Sequence, residues 1–174
     1  MLEWIGAHVT AGSTLVVDQR FFGPPLPQTR EQIEEKYAFL LPGQETSARK
    51  KRLDLAIRAV DGKQTYRIYT LNAIDDVADA FLFYRPTVNP DAASVLGTGA
   101  EYIIFNYTEV DAGKHRLMQG MPHLQLLVSF SPYREPSRRS AEDPYSITAA
   151  PHSRSDLFSR DRLGPYLELY RIDR

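Results

Sequence analysis

Four histidines, His8, His115, His123 and His152, are the side chains best suited to ligate zinc. They lie far apart, with no HExxH or H-x-H spacing. A zinc centre would need three of them, or two and a carboxylate, to converge from distant segments. Ordinary surface or core histidines are the plainer reading. The acidic group Asp75, Asp76 and Asp79 offers a second chemistry: with Asp61, Asp91 or Asp111 at a shared loop end, hard oxygen ligands would suit calcium. The spacing matches no EF-hand loop, so solvated loop carboxylates, and no metal, are expected.

No GxSxG elbow marks a nucleophilic serine. Gly97-Thr98-Gly99 has a phosphate-loop composition, but phosphate cradles sit between a strand and a following helix, and here a strand is expected to follow. A plain turn accounts for it. The absence of cysteine removes thiolate nucleophiles, disulfides, iron–sulfur clusters and Cys-type zinc sites. No catalytic residue and no cofactor are therefore assigned.

Two charged stretches point to binding instead. Arg49-Lys50-Lys51-Arg52 is a compact basic run suited to an anionic-surface contact, a nuclear-import address or a processing site, or simply to a solvated linker. Lysine disappears after Lys114, and Arg134, Arg138, Arg139, Arg154, Arg160 and Arg162 alternate with acids from there on. The planar guanidinium fork suits carboxylate pairing between subunits. Tyr133, Arg138, Arg139 and Tyr145 are thus the expected partner-binding residues, since Arg and Tyr are enriched at interfaces. Asn106-Tyr107-Thr108 is a formal glycosylation sequon, discounted because it falls in a strand expected to be buried.

The elements that must position these residues are read from periodicity. The 174 residues, 43% hydrophobic and 25% charged, suit one domain spanning 1–174, with a large core. The net charge of -1 provides no field for holding polyanions, so nucleic acid is not an expected partner. No apolar run reaches the ~20 residues needed to span a bilayer, and the segment Met1 to Asp18, with Glu3 in its first apolar run, reads as one or two strands rather than a leader. A soluble protein is expected, its compartment unassigned.

Gly23 to Pro27 stops the first β section, and Thr29 N-caps a helix from Arg30 to about Phe39, with Gln32 completing a capping box. Pro42-Gly43 ends it. Leu53, Leu55, Ile57 and Ala59 alternate with Asp54 and Arg58, and Asp61-Gly62 follows, so Leu53 to Leu71 reads as a β-hairpin with Leu55 and Ile57 buried. Further strands are expected at Ala80 to Tyr84, Glu101 to Val110 (apolar on both faces), Leu124 to Phe130 (apolar on one face) and Tyr166 to Ile172, with turns from Val88 to Gly99. A long irregular excursion occupies 132–164.

The Leu15-Val16-Val17-Asp18 run and the stretch from Leu53 to Tyr84 resemble the bacterial inclusion-body sandwich proteins of the PixA and AidA type. The aromatic, Asp-Pro-containing closing strand of that family is missing, and the resemblance carries no site residue to this chain.

The expected architecture is all-β: an antiparallel sandwich or jelly roll of about eight strands with one short amphipathic helix. The expected role is that of a non-catalytic binding or self-assembling structural protein acting through protein–protein contacts, as a homo-oligomer or with a protein partner. The alternatives are a hydrolase or carbohydrate-active enzyme with Asp75, Asp76, Asp79 and His115 in the sandwich loops, and a lectin-like module using exposed Tyr and Trp faces.

Overall fold

Leu15-Val16-Val17 and Ile103-Ile104-Phe105 are continuous apolar runs in which every side chain is fully buried. Such runs belong to strands covered on both faces, the usual condition of a parallel sheet flanked by helices. The computed structural model describes residues 1–18, 25–40, 47–71, 86–106, 117–131 and 166–173. The two runs are its central strands. In chain order the elements are α1 (Leu2–His8), β1 (Thr14–Val17), α2 (Arg30–Leu40), α3 (Ser47–Val60), β2 (Arg67–Leu71), β3 (Thr87–Val88), α4 (Ala92–Gly97), β4 (Tyr102–Asn106), β5 (Leu124–Phe130) and β6 (Leu167–Ile172). A further helical turn covers 117–120.

The strands form one six-stranded sheet in the order β3-β2-β1-β4-β6-β5. The pairings β3–β2, β2–β1 and β1–β4 are parallel, while β6 runs antiparallel to both β4 and β5. The protein is thus mixed α/β, and the expected all-β antiparallel sandwich is wrong. The sandwich architecture of the inclusion-body proteins goes with it.

Two apolar clusters sandwich the sheet. On one face Val16, Ile103, Phe105, Tyr170 and Ile172 meet Val95 of α4 and Leu117 and Met121 of the turn near 117–120. On the other Leu15, Val17, Ile68, Ile104 and Leu169 meet Ile5 of α1, Val9 and Leu26. Asp91 caps α4, its Oδ1 accepting from Ser94 N at 2.8 Å and its Oδ2 from Ser94 Oγ at 2.7 Å. The stretch expected as turns from Val88 to Gly99 therefore contains a core-facing helix.

The largest local correction concerns Leu53 to Leu71. Its first half is the helix α3, and only Arg67–Leu71 is a strand. Leu53, Leu55, Ile57 and Ala59 alternate, but Leu53, Ala56, Ile57 and Val60 also follow the i, i+3, i+4, i+7 stripe of a helix, and these four are the half-buried positions. Leu55, expected in the core, is 56% exposed. Asp61-Gly62 does turn the chain with positive φ at Gly62 (+68°), but it terminates a helix, Lys63 N donating to Val60 O at 3.0 Å. The amino-terminal segment likewise opens with α1 before β1.

The expected helix after Thr29 is present as α2, and Thr29 Oγ1 accepts from Gln32 N at 3.3 Å. The reciprocal half of the capping box is not formed, because the Gln32 amide is engaged elsewhere: its Nε2 donates to Ile68 O at 2.9 Å and its Oε1 accepts from Ile68 N at 2.8 Å. Beside it Tyr66 N donates to Pro27 O (2.9 Å), Thr29 N to Tyr66 O (3.0 Å) and Thr70 N to Pro86 O (2.9 Å). The edge of β2 beyond the two-residue β3 is closed by these contacts rather than left as a template for pairing.

The strands expected near Glu101, Leu124 and Tyr166 are β4, β5 and β6. In β5 the one-sided alternation fails at a bulge between Leu126 and Val128. Leu124 joins the cluster under α4, whereas Leu127, Val128 and Phe130 join the opposite one. One extra residue moves every later side chain to the other face. The strand expected at Ala80 to Tyr84, the Pro42-Gly43 stop and the excursion at 132–164 lie outside the described residues.

Candidate functional site

In an open sheet of this kind the ordinary place for a ligand is the crevice at the carboxyl ends of the parallel strands, where successive connections leave in opposite directions. Here that point lies between β1 and β4. The chain leaves β1 toward β2 on one side and leaves β4 toward β5 on the other.

Asp18 stands at the carboxyl end of β1, 2% exposed. Its N–H donates to Ile104 O at 2.9 Å, continuing the parallel ladder, and its Oδ2 accepts from Asn106 N at 3.1 Å, where the next strand carbonyl would otherwise serve. One carboxylate therefore both ends β1 and satisfies the last amide of β4. Asn106 is completely buried, so the discounted sequon is inaccessible at its asparagine.

Glu168 is the second buried acid of this edge. It pairs with Phe105 across β4–β6 and with Ser129 across β5–β6. The phenol of Tyr170 donates to its Oε2 at 2.6 Å and that of Tyr166 to its Oε1 at 3.0 Å. Tyr170 also sets its ring edge-on to Phe105, centroids 5.7 Å apart. The register Val17↔Ile104 puts Asp18 one step beyond it, opposite Phe105. Asp18, Phe105 and Glu168 thus form one row on one face of three adjacent strands, the acids about 10 Å apart at the backbone. On β2 the buried Thr70, paired with Val17 and so on the opposite face of the sheet, has a hydroxyl that makes no hydrogen bond among the described residues.

Comparison with known families, characterised proteins and solved structures finds no match. The chemistry rests on the residues alone. A carboxylate has about four lone-pair positions, all of them acceptors, and in the same row a second carboxylate is held in place by two phenols.

The partner-binding residues expected from sequence, Tyr133, Arg138, Arg139 and Tyr145, lie outside the described residues, as do Asp75, Asp76, Asp79, Asp111, His115 and His152. Of the rest, His8 is exposed on α1, its Nδ1 2.8 Å from Trp4 O and its ring stacked on Trp4. His123 is exposed, Asp61 closes α3 and Asp91 caps α4, so the structure brings none of these to the carboxyl edge. Among the described residues no group of three His, Cys, Asp or Glu side chains is placed to hold a metal ion. Gly97-Thr98-Gly99 is the end of α4, with Thr98 Oγ1 donating to Val95 O at 2.6 Å and accepting from Ala100 N at 3.1 Å.

Asp18, Asn106, Glu168 and Thr70 were not among the residues expected from sequence. Two signals mark them in retrospect. An acid directly after Leu-Val-Val is an acid at a buried strand's end, and Tyr166, Glu168 and Tyr170 at a spacing of two share one face of β6.

Proposed function

We propose that this protein binds a small polar molecule rich in hydrogen-bond donors, a polyol, nucleoside or amine, at the carboxyl edge of the sheet between β1 and β4. The observation that carries this reading is the buried carboxylate of Asp18 at the end of β1, where the connections diverge. Placing an acid in the interior costs free energy, and ending a strand does not itself require a charge. The Glu168 carboxylate along the same row supplies a further polar group.

Saturation-transfer NMR with adenosine, myo-inositol and putrescine tests it. At least one probe is expected to receive saturation from the wild-type protein. Asp18→Asn, which keeps an acceptor for Asn106 N–H, should weaken that probe by roughly tenfold, the worth of a hydrogen bond to a charged group. Silence from all three, or a signal unchanged in Asp18→Asn, would overturn the reading.

A second reading, self-assembly through protein–protein contacts, is supported by β5. Its run Leu-Gln-Leu-Leu-Val-Ser-Phe has no charge and no proline, and Leu126 is 45% exposed. Among the described residues β5 pairs only with β6. An uncharged edge strand is a template for another copy. Light scattering at rising concentration should then give an oligomer that Leu126→Lys dissociates, and a wild-type monomer throughout would remove this reading.

A further inference from the structure

The basic run from Arg49 to Arg52 sits inside α3, not in a linker. Placed on a helix of 100° per residue, Leu53, Ala56, Ile57 and Val60 share one side, and these half-buried residues face the body of the protein. The opposite side carries Ala48, Lys51, Arg52, Leu55, Arg58 and Ala59, all exposed. Leu55 lies at its centre, 56% exposed and the most exposed large apolar side chain among the described residues. Lys51 and Arg52 flank it one turn before, and Arg58 one turn after.

The cations are not explained by the fold. Lys50, Lys51 and Arg52 occupy the amino-terminal part of α3, where the helix dipole opposes positive charge, and the first turn has no acid. Lys50, Lys51, Arg52 and Arg58 make no ion pair among the described residues. The acids of the neighbouring helix lie at the other end: Glu31, Glu34 and Glu35 are in the first half of α2, whose start is bonded to the segment just after α3, Thr29 N donating to Tyr66 O at 3.0 Å. The start of α2 thus adjoins the end of α3. The two helices run antiparallel, so the basic start of α3 is separated from the acids of α2, and the one acid within α3, Asp54, makes no ion pair among the described residues.

We propose that α3 docks this protein flat on an anionic phospholipid surface, Leu55 entering the headgroup–acyl boundary and Lys51, Arg52 and Arg58 pairing with lipid phosphates and carboxylates around it. A basic helical face with an apolar centre fits an interface whose charge lies above hydrocarbon. A nucleic acid offers the same phosphates but nothing to receive Leu55, and the face carries no aromatic ring for a base to stack on.

Co-sedimentation with phosphatidylcholine vesicles, with and without phosphatidylserine, tests the proposal. Binding is expected only with phosphatidylserine, weakening as salt rises. Lys51→Glu with Arg52→Glu should lower it by about tenfold or more. Leu55→Ser should lower it severalfold while leaving the salt dependence intact, and circular dichroism and thermal melts establish that each variant is folded. Equal sedimentation with both vesicle types, no sedimentation of the wild type, or a folded Leu55→Ser that binds like wild type would overturn the proposal. So would tighter binding to a DNA duplex than to the vesicles, which would assign the cations to nucleic acid.

Discussion

The side-chain amide of Gln32 binds both backbone polar groups of Ile68, at 2.9 and 2.8 Å, and so acts as a one-residue substitute for a neighbouring strand. Both residues are buried, Gln32 at 1% exposure. Gln32→Ala leaves the Ile68 N–H and C=O without partners and is expected to cost roughly 2–4 kcal/mol by urea denaturation. Gln32→Glu retains the acceptor but loses the donor, so it should destabilise at neutral pH and recover part of the loss where its carboxyl is protonated. A Gln32→Ala protein as stable as wild type would show that water fills the role.

Leu55 and Ile68 are aliphatic residues of the same segment with opposite burial. Ile68→Ala should cost about 2–5 kcal/mol, the range for truncating a core aliphatic side chain. Leu55→Ala should stay within about 0.5 kcal/mol. Equal losses would contradict the helix assigned to α3.

Asp91 gives the fold a titrating cap. Hydrogen bonds from the backbone and then the hydroxyl of Ser94 hold its carboxyl below the ordinary aspartate range. The folded pKa is depressed, so the charged form stabilises α4 above the unfolded pKa, and that contribution is lost as pH falls through the folded value. Asp91→Ala is expected to be less stable than wild type at neutral pH, with the difference shrinking on acidification. A difference that grew toward acid would reverse the sign of the effect.

At the carboxyl edge the phenol of Tyr170 donates to the fully buried carboxylate of Glu168 at 2.6 Å. Tyr170→Phe keeps the ring against Phe105 and removes only the donor, so a loss of about 1.5–3 kcal/mol is expected, as for a hydrogen bond to a charged group. Tyr166→Phe, at 3.0 Å from a residue only half-buried, should cost less. The ranking is checked by chemical denaturation of the two variants and of the double mutant, whose non-additivity measures their coupling through Glu168.

The chain by itself determined those elements whose signal is local. Thr29 as a cap for α2, the doubly covered run at Ile103 to Phe105, and the closing strand to Ile172 all follow from side chains acting within a few residues of one another. The Asp61-Gly62 turn was legible as a turn, though not as the end of a helix. What surrounds such elements was not local. Leu53 to Val60 satisfies both a period of two and a period near 3.6, and in the folded protein it is a helix packed against α2. The bulge in β5 is set by register against β6, which an isolated strand does not carry.

Strand order was decided by tertiary structure alone, because parallel neighbours such as β1 and β2 are joined through helices rather than a tight turn, and so leave no mark at either strand. The candidate site depends on that order. Asp18 and Glu168 are 150 residues apart in sequence and fall in one row only because β4 is seated between β1 and β6. Composition and spacing determine which segments are apolar and which turn, but the juxtaposition of two buried acids exists only once the sheet has assembled.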